Sequence, residues 1–323
     1  MSGSLRKVDF PMAGKKRTAV VGCGWFGRAH VRNFVAASEL VAVCDADKKV
    51  AEDVAKQNNA RAYTDVKSML DAEKIDAVSI VTPPQVIPGI GLECAKKGCD
   101  LLIEKPCGLK LADLDSLFAY KDSIRIMPGF LEIFNPVMDD VLREIKTIGE
   151  IMTVDSTRIG LFPKRNWPVG VMMDLGVHDV YLHREIAKAA TGDANVVEVS
   201  SVLKYLSPAS KFEDAIFVLL RFNKMVTCIN ANWITPSKYR KLRVAGTDAT
   251  LEADFISGVT RKIWGEDLKG PTARTIEHVI TPFVREEPLA REIKTFLYET
   301  SIPVNLQDAH DVLKIVLQAL HQI

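Results

Sequence analysis

The sequence predicts an α/β protein with two domains, a doubly wound parallel sheet followed by an α+β domain on a large, open, mostly antiparallel sheet. Short apolar runs alternate with helical stretches up to about residue 128, which is typical of parallel strands joined by crossover helices on both faces of a sheet. From about residue 149 the runs lengthen, and several alternate apolar and polar side chains, as antiparallel strands with one solvated face do. A chain of 323 residues also suits two domains of ordinary size better than one core.

The first half of the chain carries its elements in a regular order. Strands are predicted over residues 17–22, 40–45, 76–82 and 100–105, and helices over 26–37, 48–57, 66–70 and 87–97. The first helix places Phe26, His30 and Phe34 along one side, which is the spacing of an amphipathic helix. We therefore predict a first domain over residues 16–131. The polar segment that precedes it predicts a mobile tail over residues 1–15.

The second domain, predicted over residues 132–323, contains six β-rich runs and closes with a helix. The runs cover residues 150–160, 196–206, 214–222, 225–234, 239–247 and 250–256. The last stretch places four apolar side chains on one face, Val312, Ile315, Val316 and Leu320. This pattern predicts an amphipathic helix over residues 308–322, which can pack back on the first domain.

Charge and cysteine content argue against several classes of function. Lysine plus arginine number 42 and aspartate plus glutamate 41, so no global field attracts nucleic acid or an anionic membrane, and we expect a small, neutral or locally recognised ligand. The six cysteines form no C-x-x-C pair, which argues against a zinc ribbon or a disulfide scaffold and fits a reducing cytoplasm. No metal site is predicted. Neither an apolar leader nor a run of about 18 apolar residues is present, so we expect a cytoplasmic protein.

The segment GCGWFG, residues 22–27, has the G-x-G-x-x-G spacing of a dinucleotide-binding turn. Gly22 permits a tight turn, Gly24 lets the backbone approach a pyrophosphate, and Gly27 lets the helix pack on the strand. The motif follows a strand and opens a helix. Asp45 lies about 20 residues further on and ends the next strand. Asp45 would accept from both ribose hydroxyls and repel a 2′-phosphate, so NAD is favoured over NADP, although two nearby lysines soften this preference. A purely structural turn or an S-adenosylmethionine site is the alternative.

Three polar side chains elsewhere suggest acid/base chemistry. Lys105 stands at the end of a predicted strand, where parallel sheets present their ligands. In MMDLGVHD, residues 172–179, Asp174 and His178 are four apart, which on a helix stacks them on one face about 6 Å apart along the axis. A carboxylate beside an imidazole is a suitable acid/base unit because histidine titrates near neutrality. Each signal alone also fits a solvated lysine or a surface pair.

The glycine motif, E-K-P at residues 104–106 and D-x-G-x-H at residues 174–178 together resemble the signature of the glucose-fructose oxidoreductase, inositol dehydrogenase and rhizopine-catabolism (Gfo/Idh/MocA) family. The resemblance covers nearly the whole chain from about Lys16. Residues 129–136 resemble the family's link between domains, and residues 287–297 resemble its usual closing helix. It implies an N-terminal Rossmann domain and a second domain whose open sheet carries the substrate face and often an oligomer interface. It also implies oxidation or reduction of a hydroxyl on a sugar, cyclitol or related compound with a nicotinamide cofactor.

The resemblance assigns roles to the candidate residues. His178 is the predicted general base for the hydroxyl proton, Lys105 stabilises negative charge on the same oxygen, and Asp174 holds the substrate hydroxyl or the histidine. The predicted cofactor contacts lie in the glycine motif and at the ends of the strands: Gly22, Gly24, Trp25, Phe26, Gly27, Asp45, Thr82, Pro83, Glu104 and Lys105.

Three segments depart from the family pattern and predict an atypical substrate pocket. Ile87 stands where T-P-x-x-x-H carries its histidine, and Tyr181 stands where many relatives have an aspartate. The linker usually carries arginine before F-x-P, whereas this chain has Glu132 and Ile133 ahead of Phe134.

The substrate class is predicted from two further segments. Residues 246–256 and 286–297 look closest to the branch that acts on the 3-hydroxyl of UDP-N-acetylglucosamine or its uronic acid. The segment FPKRNWP is either a solvated loop or the contact to a phosphate or carboxylate of such a substrate, through Lys164, Arg165, Asn166 and Trp167.

Two functions of other classes stay open at this point. In the first, the chain is a redox sensor or regulator that binds NAD without turnover. In the second, it is an S-adenosylmethionine-dependent methyltransferase. The expected partner is a carbohydrate-type small molecule. Because exposed faces of an open sheet invite pairing, a homodimer or homotetramer is expected as well.

Overall fold

The computed structural model describes residues 14–162, 168–206, 211–266, 274–280 and 286–323. The predicted tail over residues 1–15 lies almost entirely outside these ranges. The chain forms two compact units, of which one contains the chain up to Leu131 together with Glu287–Leu313, and the other contains Glu132–Glu286 and Lys314–Ile323. Each unit is built on one sheet, so the predicted α/β fold class with a parallel and a mostly antiparallel sheet is confirmed.

The first unit is a six-stranded parallel sheet with helices. Its strands are β1 Arg17–Val21, β2 Glu39–Cys44, β3 Arg61–Tyr63, β4 Ala77–Ile80, β5 Asp100–Glu104 and β6 Ile126–Gly129. Its helices are α1 Trp25–Ala37, α2 Lys48–Asn58, α3 Val66–Ala72, α4 Ile87–Lys96 and α5 Ala112–Phe118. The strand order is β3-β2-β1-β4-β5-β6. The winding reverses between β1 and β4, so a ligand is expected at the carboxyl ends of these strands.

The central strands of this sheet, β1, β4 and β5, are buried on both faces, which explains their apolar sequence. Ala19, Val20, Val78, Leu101 and Leu102 are all 0% exposed. A parallel sheet covered by helices on both sides requires such continuous apolar runs rather than alternation. This burial is the reason that these runs could be recognised as strands in the sequence.

The second unit is an eight-stranded sheet in the order β14-β13-β12-β11-β7-β10-β9-β8. The strands are β7 Ile151–Ile159, β8 Val196–Lys204, β9 Ala215–Phe222, β10 Val226–Asn232, β11 Tyr239–Gly246, β12 Thr250–Asp254, β13 Val259–Glu266 and β14 Arg274–Ile280. Neighbouring strands are antiparallel except β7 and β10, which pair in parallel. Two helices, α6 Pro136–Glu144 and α7 Val177–Thr191, pack on this sheet.

The side chains of β9 alternate between the core and the solvent. Ile216, Val218 and Leu220 are fully buried, whereas Phe217 and Leu219 are 53% and 51% exposed. The period of two is the one expected for a strand with one covered face. The other face of the sheet therefore presents apolar side chains to solvent.

The C-terminal region differs from the predicted domain division. Helix α8, Pro288–Tyr298, belongs to the first unit, where Glu287 pairs with Arg32 of α1 and the Tyr298 hydroxyl donates to the carbonyl of Ala37. The sequence placed this segment in the second domain because it follows the β-rich runs. The last helix, α9, spans Leu306–Ala319.

Candidate active site

The glycine motif forms the turn between β1 and α1, and two of its glycines are required by the backbone. Gly22 has a φ of +93°, a left-handed conformation that favours glycine, and its N–H donates to the carbonyl of Cys44 over 2.8 Å. A Cβ on Gly22 would overlap the carbonyl of Val81, and a Cβ on Gly27 would overlap the carbonyl of Gly22. The turn is therefore closely packed against the ends of β2 and β4.

Gly24 differs because it faces open space. Its φ of −65° and ψ of −166° are open to any residue, and a Cβ there would have no atom of the described part of the chain within 4 Å. Trp25, the first residue of α1, is 81% exposed, and Phe26 is half-buried with its ring edge-on to His30. The first N–H groups of a helix have no intrahelical partner and carry positive partial charge, so this surface suits a phosphate group.

Asp45 directly follows β2, and backbone donors hold its carboxylate beside the turn. One oxygen accepts from the N–H of Cys23 at 2.7 Å, and the other accepts from the N–H of Asp47 at 2.9 Å. The residue is half-buried. A carboxylate fixed here can accept hydrogen bonds from ribose hydroxyls, and its charge disfavours a 2′-phosphate.

The loop after β4 lies against the same turn. A methyl carbon of Thr82 lies 3.1 Å from the place of a Gly22 Cβ, and Pro83 is exposed. The buried hydroxyl oxygen of Thr82 has no hydrogen-bond partner among the described residues. Ile87, at the place of the family histidine, is 1% exposed and contributes to the core. The ends of β1, β2 and β4 thus bring Gly22, Asp45 and Thr82 to one edge of the sheet.

Lys105 follows β5 at the same carboxyl edge and is half-buried. Its N–H donates over 3.3 Å to Oε2 of Glu104, the last residue of β5. Glu104 is 6% exposed, and its Oε1 lies 3.2 Å from Nε2 of buried His30, whose Nδ1 is 2.8 Å from the Ser79 hydroxyl. The Glu104 carboxylate thus faces the interior. Although the sequence predicted Glu104 as a cofactor contact, we propose that its side chain supports Lys105 instead.

Asp174 and His178 lie where two kinds of helix join. Residues Met172–Gly176 form one π-helical turn, and α7 begins at Val177, so the simple α-helical spacing assumed from the sequence does not hold through this segment. Both side chains are half-buried. Single π turns within helices are frequent at functional sites.

A buried glutamate fixes the start of this helical segment. The N–H of Val171 donates to the Glu213 carbonyl at 3.1 Å, and the N–H of Met172 donates to the Glu213 carboxylate at 2.9 Å. A Cβ on Gly170 would overlap that carboxylate, so a larger residue there would displace Glu213 from the helix start. Burial raises the pKa of the Glu213 carboxyl, although the donated hydrogen bonds oppose the shift.

A buried ion network holds the residue next to the predicted base. Arg158 of β7 donates to both oxygens of Asp179, at 2.9 and 3.2 Å, and to Glu132 at 2.6 Å. Arg240 of β11 donates to the same Glu132 oxygen at 3.0 Å, so two guanidinium groups balance two carboxylates. Burial opposes ionisation of Glu132, but Arg158 and Arg240 outweigh it and lower the pKa of this carboxyl, whereas burial raises the pKa of Asp179. Because Asp179 follows His178, the network fixes the turn that carries His178.

Asp174 also belongs to this electrostatic environment. The negative charge of Asp174 acts on the guanidinium of Arg240 and favours its charged form. Burial has the larger effect and lowers the pKa of Arg240 below the ordinary arginine value. Arg240 therefore interacts with both Glu132 and Asp174. Glu132 is one of the two residues ahead of Phe134 in the linker where the family usually carries arginine, so this departure supplies one of the two acids of the network.

The second histidine of α7 is unsuited to act as the base. His183 is 0% exposed, and its Nδ1 lies 2.9 Å from the Thr227 hydroxyl. Burial, assisted by the charge of Arg158, lowers its pKa to about 3. A fully buried imidazole that stays neutral near physiological pH cannot exchange a proton with a substrate, which leaves His178 as the candidate on this helix.

Sequence reasoning missed the residues that support the candidates. Arg158 and Arg240 are opposite each other on β7 and β11, and Glu213 lies just before β9 and contacts the backbone of Met172. Tertiary packing therefore brings them to the segment that carries Asp174 and His178. Tyr181, where relatives often have aspartate, is 1% exposed and fills the core. The predicted substrate contacts lie outside the described residues: Lys164, Arg165, Asn166 and Trp167.

The described residues contain neither a helix suited to cross a membrane nor a cluster suited to hold a metal ion. Within the described ranges, no helix has the length and apolar character needed to cross a membrane. In the same part of the chain, no group of three or more histidine, cysteine, aspartate or glutamate side chains is arranged to hold a metal ion.

Two family models match the chain in succession. One, described as an oxidoreductase family with an NAD-binding Rossmann fold, matches residues 16–124. The other, described as the GFO/IDH/MocA C-terminal domain, matches residues 142–252. Together they cover more than half of the chain.

Individual relatives agree with these models. UDP-N-acetylglucosamine 3-dehydrogenase of Acidithiobacillus ferrooxidans is 26% identical over 283 residues, which is 87% of this chain and 87% of that protein. The scyllo-inositol 2-dehydrogenase (NAD(+)) of Bacillus subtilis is 32% identical over 141 residues, which is 42% of this chain and 41% of that protein.

Solved structures show the same fold. The structure of the Acidithiobacillus ferrooxidans UDP-N-acetylglucosamine 3-dehydrogenase matches with a TM-score of 0.82 and 24% identity, covering 96% of this chain and 98% of that one. A levoglucosan dehydrogenase in complex with NADH and levoglucosan matches with a TM-score of 0.82 and 17% identity, covering 95% and 96%.

Proposed function

This chain belongs to the GFO/IDH/MocA family of NAD-dependent oxidoreductases, and on that premise we propose that it transfers a hydride between NAD and a secondary hydroxyl of a sugar, cyclitol or nucleotide sugar. The similarity to UDP-N-acetylglucosamine 3-dehydrogenase, which spans 87% of both chains, carries the choice of substrate class. We favour the 3-hydroxyl of a UDP-N-acetylglucosamine-like compound. Membership of an oxidoreductase family favours this function over an S-adenosylmethionine-dependent methyltransferase.

The residues around the glycine turn fit a bound NAD. Gly24 leaves open the space that a Cβ would fill beside the first turn of α1, where a pyrophosphate would meet helix N–H groups. Asp45 presents a fixed carboxylate for the ribose hydroxyls. When bound, the nicotinamide supplies the hydride acceptor for alcohol oxidation.

The chain's own residues supply the proton chemistry. His178 takes the hydroxyl proton, while the ammonium group of Lys105 stabilises the negative charge that develops on that oxygen. Asp174 holds the substrate hydroxyl or orients the imidazole. The Glu213 cap and the clamp of Arg158 on Asp179 support this proposal because they hold the helix start rigid, as positioned acid/base catalysis requires.

The open space at Gly24 leads to a prediction for cofactor binding. Gly24→Ala should weaken NADH binding about 10-fold or more, because the new methyl group keeps the backbone from the pyrophosphate. The unfolding free energy should change by no more than about 1 kcal/mol, since the backbone angles suit alanine. Fluorescence titration with NADH and thermal unfolding measure both effects.

Two matched variants make this prediction specific. Gly89→Ala in α4 also places its Cβ in open space and should leave NADH affinity unchanged. Gly27→Ala should destabilise the fold because its Cβ meets backbone. Unchanged NADH affinity in Gly24→Ala would remove Gly24 from the cofactor site.

A panel of substrates tests the proposed function. Free sugars, inositols, sugar acids and UDP-N-acetylglucosamine should be assayed for NADH formation, with NADP as a parallel cofactor. We expect turnover with at least one secondary alcohol, fastest among UDP-N-acetylhexosamines. Saturable NADH binding with no turnover across the panel would support a redox sensor instead.

We also propose that the protein forms a homodimer or homotetramer through the open face of its larger sheet. That face presents neighbouring exposed apolar side chains on β8, β9 and β10, namely Val202, Phe217, Leu219 and Val226. Contiguous exposed apolar patches commonly mark interaction surfaces, and a two-fold interface uses the same patch on both copies. Sedimentation equilibrium should give the mass of two or four chains, and a monomer would contradict the proposal.

A further inference from the structure

Three titratable side chains from separate segments meet in the interior of the first unit. They are His30 of α1, Glu104 at the end of β5 and Glu292 of α8, and they are 0%, 6% and 0% exposed. His30 lies 3.2 Å from one Glu104 oxygen, and the charge of Glu104 acts on Glu292. Buried acids of this kind need a partner or a proton.

Glu292 is the unusual member of this group. Neither of its carboxyl oxygens has a hydrogen-bond partner in the described part of the chain. Burial, and then the neighbouring charge of Glu104, raise the pKa of the Glu292 carboxyl well above its ordinary value. Two adjacent buried carboxyl groups cannot both ionise at low cost, so they retain one proton between them.

The nearby cations are engaged elsewhere. Arg32, on the α1 surface that packs on α8, pairs with Glu287. Arg125 donates to the backbone carbonyls of Thr295 and Phe296 near the C-terminal end of α8. The neighbouring charge that acts on Glu292 is that of Glu104, and the imidazole of His30 lies on Glu104 in turn.

The position of the Glu104 carboxylate is supported from a second side. A Cβ on Gly129, the last residue of β6, would lie 2.8 Å from Oε1 of Glu104. Glycine at this point leaves room for the carboxylate without contact strain. The other carboxylate oxygen accepts from the N–H of Lys105, so this acid is linked directly to the backbone of the proposed catalytic lysine.

We propose that Glu292 is a positioning residue for Lys105: as a neutral carboxylic acid it donates its proton to the Glu104 carboxylate, and the pair fixes the end of β5 from which Lys105 extends. The effect on turnover rests on the proposed role of Lys105. The shared proton itself does not depend on that role.

Substitution with glutamine tests the protonation state. Glu292→Gln keeps the shape of a neutral acid and an N–H donor, so turnover should stay within about threefold of wild type. Glutamate in an unfolded chain ionises above about pH 4.3, whereas Glu292 in the folded wild type keeps its proton. Folding therefore takes up a proton above this pH, and the free energy of unfolding falls as the pH rises. Glu292→Gln has no such proton, so its melting temperature should fall less between pH 5 and pH 8. An identical slope in both proteins would overturn the proposal.

Infrared spectroscopy and a second variant complete the test. At pH 8, the wild type should show a carboxylic acid C=O band that Glu292→Gln lacks. If the wild type showed no such band, Glu292 would be ionised and the proposal would be rejected. Glu292→Ala removes the donor and should lower turnover about 10-fold while NADH affinity is kept. Wild-type turnover in Glu292→Ala would show that Glu292 does not position Lys105.

The control is Glu287→Gln, at the start of the same helix. Glu287 is exposed and pairs with Arg32, so this variant should change neither the pH slope nor the infrared band. If Lys105 had no part in the reaction, Lys105→Ala would have normal turnover. The infrared band of the Glu292 proton would still be present, so this outcome is distinct from a failure of the present proposal.

Discussion

Lys105→Ala is expected to lower the turnover number about 100-fold or more and to leave the NADH dissociation constant within about threefold of wild type. The ammonium group is proposed to stabilise charge on the substrate oxygen, which exists only as the proton and hydride leave. Removing one such preorganised group typically costs a factor of about 10² to 10³. Because the interaction is made in the transition state, kcat should fall rather than KM rise.

Two further lysine variants make this result interpretable. Lys105→Met keeps the aliphatic stem without the charge and should be as slow as Lys105→Ala. Lys110→Ala removes an exposed lysine of the following loop and should retain wild-type turnover. If Lys105→Met were active, the charge at this position would have no part in the reaction.

His178→Ala is the second large effect, with turnover expected to fall about 100-fold or more, the usual contribution of a positioned general base. Oxidation by wild type should speed up as the pH rises and the imidazole loses its proton. The variant should lose this pH dependence, and added imidazole should restore part of its rate. Steady-state assays of NADH formation across pH measure all three effects.

Histidines elsewhere in the chain provide the controls. His278→Ala, at an exposed position of β14, should keep the rate and pH profile of wild type. His183→Ala should lower thermal stability, because His183 is buried against Thr227. A His178→Ala variant with the wild-type pH profile would show that another group takes the proton.

The elements predicted correctly from the sequence are those with strong local patterns. Strands β1, β2, β4 and β5 are continuous apolar runs because both faces of the sheet are covered, and α1 follows the glycine motif. Strands β3, β6, β13 and β14 were missed for physical reasons. In β13, Val259–Glu266, Thr260 is the single buried residue, so the strand has no apolar run. β3 has three residues and no buried one, β6 carries Pro128 at an edge of the sheet, where the missing N–H is tolerated, and β14 is mostly exposed.

The candidate site divides in the same way. The glycines, Asp45, Lys105, Asp174 and His178 lie in short motifs that a sequence shows directly. The partners of these residues depend on strand register and helix packing, which no short segment encodes. Glu292 alone left a signal, since it occupies the buried face of α8 together with apolar residues: Leu289, Ile293, Phe296 and Leu297.

The most direct test of the account is a double-mutant cycle on Lys105 and His178. NADH formation in a single turnover should be measured for wild type, Lys105→Ala, His178→Ala and the double variant, with a substrate found in the panel. If both groups act on the same oxygen, their contributions are coupled, and the double variant should be about as slow as the slower single variant. A double variant whose loss is the product of the two single losses would show that the residues act independently and would contradict the account.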